Sequence, residues 1–259
     1  MIGLFDSGVG GLTVVKEMQR RLPNVQLTYF GDTARTPYGN KSAEVIEQYG
    51  LEAAKFLVGQ GAQVLVVACN TVSALGLEAI KKAYPALPVF DVITPAVVSV
   101  IAHKVKRVGV MGTRALVGSG IYQRLLKTAP GVTVTASSAP LLVPLVEENW
   151  LGEPETKRIV KHYLMPFKQA QAQALVLACT HYPLLKKVIT ARLSSRVVVI
   201  DPAEATADAL VEWLNQNPPV SKALSRGSSR FYVSDLTPQA QKIAQTWLGS
   251  SITLEKAHL

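Results

Sequence analysis

VLVVACNTVSAL (residues 64–75) and ALVLACTHYPLL (residues 174–185) are built alike. Each is an apolar run that ends in Ala-Cys, continues with an amide or hydroxyl residue and passes into a helix-compatible segment. Cys69 and Cys179 are the only cysteines in the chain. A short continuous apolar run reads as a strand buried on both faces, as in parallel sheets covered by helices. Both thiols therefore fall at the carboxyl end of a strand, where open α/β sheets form their ligand crevice.

The same alternation extends outward. Strands are expected at 1–5, 26–30, 64–68, 88–90, 107–111, 132–136, 174–178, 197–200 and 230–233. Helices are expected at 12–22, 42–60, 70–83, 118–127, 155–171 and 203–215. Thr94-Pro95, Asp201-Pro202 and Thr237-Pro238 each place a capping side chain before a proline at the first helical position. Alternating strands and helices give an α/β fold with doubly wound parallel sheets. If the two cysteine units belong to two sheets, residues 1–93 form one lobe and 94–205 the other. The tail, 206–259, then returns to the first lobe, with Asn217-Pro218-Pro219 breaking it into a helix and a βαβ-like remainder.

Composition narrows the function classes. At 259 residues, 48% apolar and 17% charged, the chain can bury a sizeable core and is not disordered. Its start lacks a basic and then apolar leader, and its most apolar long stretch, 86–102, is interrupted by Pro88, Asp91 and Pro95. Neither a signal peptide nor a membrane span is expected, and two cysteines do not make a disulfide scaffold. The expected location is the cytoplasm. The net charge of +9 raises nucleic acid as a partner, but the basic residues lie in pairs along helices (Arg20-Arg21, Lys81-Lys82, Lys186-Lys187). Without a dense run or a recognisable motif, they read as solvated helix faces that steer anions.

One cysteine after a buried strand is ordinarily a small core residue. Two in matching positions point to chemistry. A thiol at a helix start lies beside unpaired backbone N–H groups that favour the thiolate. Asn70, Thr71 and Thr180 follow and can cap those helices or donate to a carboxylate. A disulfide would need the two backbones within about 7 Å, which a reduced compartment disfavours. Zinc is poorly served, because Cys179 and His181 offer an unusual spacing and Cys69 with Asp6 only an improvised remainder. Neither metal nor cofactor is expected. Inverting a carbon stereocentre by proton transfer requires a base on one face and an acid on the other. A thiol pair, with an ordinary pKa near 8.5, can fill both roles and exchange them.

IGLFDSGVGGLTV (residues 2–14) ends a strand at Asp6 and Ser7 and turns through Gly8, Gly10 and Gly11. Thr13 stands where a dinucleotide fingerprint needs its third glycine. The turn is either plain or an anion-accepting set of amides, and Asp6 is placed to bind an ammonium or orient a thiol. TPYGNKS (residues 36–42) is a second polar loop, either an ordinary turn or a carboxylate site at the amides of Tyr38 and Gly39. His181, two residues past Cys179, suits a hydrogen bond or proton relay to that thiol.

DSGVGGLTV, PYG, ACNT and ACTHYP, in this order and at these distances, together resemble glutamate racemases of the aspartate/glutamate racemase family. The ending FYVSDLTPQAQKIAQTWLG is similar too, so the resemblance covers essentially the whole chain. It implies two flavodoxin-like lobes with the active site between them and a homodimer. The implied reaction is cofactor-independent interconversion of L- and D-glutamate, which supplies D-glutamate for peptidoglycan. Carried over by motif, Cys69 and Cys179 are the two bases, and Asp6 and His181 assist them. Ser7, Tyr38, Gly39, Asn70, Thr71, Thr113 and Thr180 then line the substrate site, and Glu147 is a further acidic position near the cleft. The rival expectations are an aspartate or other acidic amino-acid racemase on the same scaffold, a hinged amino-acid binding protein, and a thiol redox protein, the last without a Cys-x-x-Cys. Two departures stand out. GTRAL (residues 112–116) carries Leu116 where the family pattern has a second threonine, so a substrate-side hydroxyl is expected to be missing. The chain also begins at the first strand, without the extension of relatives activated by a peptidoglycan precursor, and that regulation is not expected.

Overall fold

In the computed structural model, which describes residues 1–249 and 251–257, every strand pairing is parallel. The strands are β1 (Ile2–Asp6), β2 (Leu27–Gly31), β3 (Val64–Val67), β4 (Val89–Asp91), β5 (Arg107–Gly112), β6 (Thr133–Ser138), β7 (Ala174–Ala178), β8 (Val198–Ile200), β9 (Arg230–Val233) and β10 (Leu254–Lys256). β1, β2, β3 and β7 are buried at every position. That explains the unbroken apolar sequence of β3 and β7: helices cover both faces, so no face is left to alternate.

The strands form two sheets, ordered β10-β9-β2-β1-β3-β4 and β6-β5-β7-β8. In each sheet the first strand is flanked by the second on one side and the third on the other. Ile2 lies opposite both Leu27 and Val64. Val108 lies opposite both Val134 and Ala174. The chain therefore reverses direction across the sheet between β1 and β3, and again between β5 and β7. Loops part at such a point and open a crevice beyond the strand ends. Cys69 and Cys179 follow β3 and β7, one at each switch point.

The helices are α1 (Leu12–Arg21), α2 (Ala43–Gly59), α3 (Asn70–Leu75), α4 (Leu77–Ala83), α5 (Ile93–Ala102), α6 (Arg114–Ser119), α7 (Ile121–Leu126), α8 (Leu142–Glu147), α9 (Pro154–Gln169), α10 (Lys186–Thr190), α11 (Pro202–Gln216), α12 (Pro218–Ala223) and α13 (Pro238–Leu248). Asp201 and Thr237 cap as expected, accepting from the amides of Ala203 at 2.9 Å and Ala240 at 3.1 Å. Thr94 does not. α5 starts at Ile93, Pro95 is its third residue, and Asp91 Oδ1 accepts from the amides of Ile93 and Thr94 at 2.7 Å each. The carboxylate closing β4 takes the amides before Thr94 can.

Two expected helices are each a broken pair. The segment at 70–83 divides at Gly76 into α3 and α4. The segment at 118–127 starts four residues earlier, where Thr113 accepts from the Leu116 amide, and divides at Gly120, whose φ of 64° lies in the left-handed region that favours glycine. The tail after Asn217-Pro218-Pro219 forms β9, α13 and β10, the βαβ arrangement expected there, whereas the short helices α8, α10 and α12 were not expected. Residues 250, 258 and 259 of the expected tail segment 206–259 lie outside the described residues. No described helix is long and apolar enough to cross a membrane.

Candidate active site

The strand ends of the two sheets meet across one narrow cleft, lined from both sheets. Ten of the twelve expected site residues line it: Ser7, Tyr38, Gly39, Cys69, Asn70, Thr71, Thr113, Cys179, Thr180 and His181. Thr36, Pro37 and Val143 complete the wall and were not singled out from the sequence. Glu147 stands behind it, against His181, and Asp6 directly precedes the lining residue Ser7.

The walls touch at hydroxyls. Thr71 Oγ1, on α3, is 3.0 Å from Thr113 Oγ1, the cap of α6. The Thr13 hydroxyl lies 2.9 Å from both Gly10 O and Thr180 O, so the residue that replaces a third glycine ties the first loop to the Cys179 loop. Gly10 makes that approach possible. A Cβ there would stand 2.4 Å from Thr180 Oγ1 and 2.5 Å from the His181 ring. Gly39 presses on the opposite wall in the same way, since a Cβ would stand 2.8 Å from Thr113 Cβ.

Two amides of the glycine turn are taken by Asp6. Gly11 N and Gly8 N donate to Asp6 Oδ2 at 2.9 and 3.3 Å, so the anion they hold is Asp6 itself. Its other oxygen is buried without a protein partner. Burial raises the Asp6 carboxyl above its ordinary value, with the nearby His181 charge and the backbone amides acting against the rise.

The two thiols have different surroundings. Cys69 is the residue before α3, and its Sγ donates to Ser7 Oγ at 3.6 Å. Burial, and then the Asp6 charge, push its pKa up to about 12, so it carries its proton at neutral pH. Cys179 Sγ faces His181 Nδ1 at 3.9 Å, and His181 Nε2 lies 3.0 Å from Glu147 Oε1. Burial alone would lower the His181 pKa. Hydrogen bonds to Cys179 and Glu147, reinforced by their charges, outweigh it and raise the imidazole to about 10. The edge of Trp247, from α13, closes on the ring with centroids 6.1 Å apart. The geometry thus supplies a protonated thiol on one wall, a thiol beside an imidazolium on the other, and hydroxyls between them.

Leu116 is not in the cleft. Its side chain is 1% exposed and packs among Ile93, Val110, Tyr122 and Val176, against the α-carbon of Gly112. The helix begun by the Thr113 cap turns this position toward its own sheet, so no substrate hydroxyl is missing there. Leu116→Thr should therefore cost about 2–4 kcal/mol of stability in urea unfolding, with the Michaelis constant unchanged. A lower Michaelis constant would put the side chain on the substrate instead.

The family model described as Asp/Glu/Hydantoin racemase matches residues 2–210. Glutamate racemase of Aquifex aeolicus is 44% identical over 252 residues, covering 97% of this chain and 95% of that protein. The structure of Francisella tularensis glutamate racemase in complex with D-glutamate superposes with a TM-score of 0.91 at 35% identity, covering 99% of this chain and 97% of that one. A glutamate racemase isoform of Bacillus anthracis reaches 0.93 at 34% identity, covering 100% and 97%. The aspartate racemase of Picrophilus torridus, 19% identical with a TM-score of 0.57, shares the fold alone. The family model over residues 2–210, together with glutamate racemases that match the two-sheet frame over nearly the whole chain, places the chain in the aspartate/glutamate racemase family.

Proposed function

We propose that this chain is a glutamate racemase that inverts the α-carbon with Cys69 and Cys179 as its two acid–base groups. The observation that carries the reading is the pair of buried cysteines, hung from different sheets and lining one cleft. In one direction the Cys179 thiolate takes the α-proton, breaking the C–H bond and leaving the electron pair on carbon. Cys69 then delivers its own proton to the opposite face. The reverse direction exchanges the roles. The resting arrangement suits this first step, because Cys69 holds a proton to give and the His181 cation faces the Cys179 sulfur.

The rest of the cleft suits a dicarboxylate amino acid. Asn70, Thr71, Thr113 and Thr180, with the turn at Tyr38 and Gly39, offer neutral donors for carboxylates. Asp6, with Ser7 beside it, offers the acceptor for an ammonium. Several glutamate racemases at 37–44% identity support glutamate over aspartate. On the same reading the chain forms two lobes, 1–93 with 206–259 and 94–205, crossing between them twice. It works in the cytoplasm as a homodimer and supplies D-glutamate for peptidoglycan.

Protein dialysed against chelator, without pyridoxal phosphate, should racemise L- and D-glutamate and leave aspartate nearly untouched, as followed by circular dichroism. Preferred turnover of aspartate would move the chain to the other substrate. Glutamate binding without exchange of the α-proton would make it a binding protein. Activity lost to chelator and restored by zinc would sink the cofactor-free mechanism.

A further inference from the structure

Asp32 follows β2 outside the cleft wall, yet it is wholly enclosed, with 0% exposure. Its Oδ2 accepts from the Tyr38 hydroxyl and from Arg35 Nε at 2.6 Å. Its Oδ1 accepts from Ser234 Oγ at 2.7 Å. Each donor is itself braced. Arg35 reaches Glu52 through Nη1 and stacks its guanidinium 3.9 Å from the centre of the Tyr49 ring, which packs against Tyr38. Ser234 Oγ in turn accepts from the Ala34 amide at 2.9 Å. Because Ser234 follows β9, the carboxyl-terminal part of the chain holds a loop about 200 residues earlier.

That loop carries the turn at Tyr38 and Gly39. Tyr38 is 2% exposed, so its ring is fixed by packing and its hydroxyl by Asp32. Burial, with the Asp32 charge beside it, raises the phenol above its ordinary value and keeps it a donor. The backbone of Gly39 rests on Thr113 from the other sheet, so a small shift of Tyr38 would move the cleft wall. A buried carboxylate with two charge-assisted partners and a hydroxyl is a rigid anchor for such a turn.

We propose that Asp32, braced by Arg35 and Ser234, is a positioning residue that fixes the Tyr38–Gly39 turn in its glutamate-binding pose. Through Ser234 the segment after β9 then governs substrate affinity from outside the cleft. This rests on the glutamate racemase reading, and the unaltered protein tests that reading separately. If it fails to racemise glutamate, the function assigned above is wrong before any variant is considered.

The test compares Asp32→Asn, Tyr38→Phe, their double variant and Ser234→Ala in the full chain. Asp32→Asn should raise the Michaelis constant for both enantiomers by about tenfold. It should leave kcat within about threefold and the α-deuterium isotope effect unchanged, as expected when binding is lost and chemistry is not. The double variant should be no worse than the worse single one, since both break the same link. A Michaelis constant within twofold of the parent, a loss confined to kcat, or additive effects in the double variant would each overturn the proposal. Should Asp32→Asn not fold, Ser234→Ala removes only a hydroxyl. It should raise the Michaelis constant about threefold, and an unchanged value would overturn the proposal as surely.

Discussion

Cys69→Ala and Cys179→Ala should each lower racemisation by about 10³-fold or more, while each still exchanges the α-proton of one enantiomer only. The two sulfurs hang from separate sheets. Cys69 is pinned by its carbonyl, which accepts from Ser73 N at 2.8 Å, and Cys179 by its amide, which donates to Leu177 O at 2.8 Å. Neither can swing across the cleft to serve both faces of a carbon. The thiol that survives a substitution can remove its own proton and return it from the same side, which exchanges hydrogen without inverting. By the family resemblance Cys69 faces D-glutamate and Cys179 faces L-glutamate. In heavy water, Cys69→Ala should then place deuterium in L-glutamate alone, and Cys179→Ala in D-glutamate alone, as read by mass after chiral separation. Both variants remove one small side chain from a packed site, so near-ultraviolet dichroism should hold. Deuterium in both enantiomers from either variant would favour a single mobile base over two fixed ones.

The frame of this site was legible because burial on both faces leaves a mark in sequence. β3 and β7 are continuous apolar runs for that reason, and a reactive residue at the end of such a run is placed by topology alone. Side-chain direction left no such mark. Leu116 occupies a position where the family pattern has a threonine, but only the cap at Thr113 and the helix it starts show that the position faces the sheet. Asp32 was not singled out from the sequence, because its partners Tyr38 and Ser234 lie 6 and 202 residues away and nothing in the local pattern joins them. The role of the glycine turn stayed open for a related reason. Amides that could hold an anion were visible, but not that Asp6 would fold back to be that anion. Gly76 and Gly120 broke helices that the apolar spacing alone carries through. β10 was legible only as the closing strand of a βαβ-like tail; with two of its three residues exposed, it had too little apolar pattern to fix its bounds.

His181→Asn should reduce kcat by about 10²-fold, and it should also flatten the alkaline side of the stability profile. His181 is protonated up to about pH 10 in the folded chain, against an ordinary value near 6.5 in the unfolded one. Between those limits the folded state binds more protons than the unfolded state, so stability falls as pH rises. The stabilisation is complete below about pH 6.5 and is lost as pH passes through 10; its full size is of order a few kcal/mol. Cys69, raised to about 12 against an ordinary value near 8.5, adds a second loss of the same sign from about pH 8.5 upward. Denaturant unfolding of the parent at about pH 6.5, 7.5 and 8.5, below the Cys69 limb, should therefore show a steady decline, and the His181→Asn profile should be nearly level over that range. Cys69→Ala should keep the decline, because the histidine remains. The groups facing the imidazole are Cys179, Glu147 and the more distant Asp6. Removing the Glu147 charge by Glu147→Gln should thus bring the alkaline limb of kcat/KM to lower pH without abolishing it. A parent whose stability is level from about pH 6.5 to 8.5, or a limb that Glu147→Gln leaves in place, would mean that His181 is neutral and only orients the Cys179 thiol.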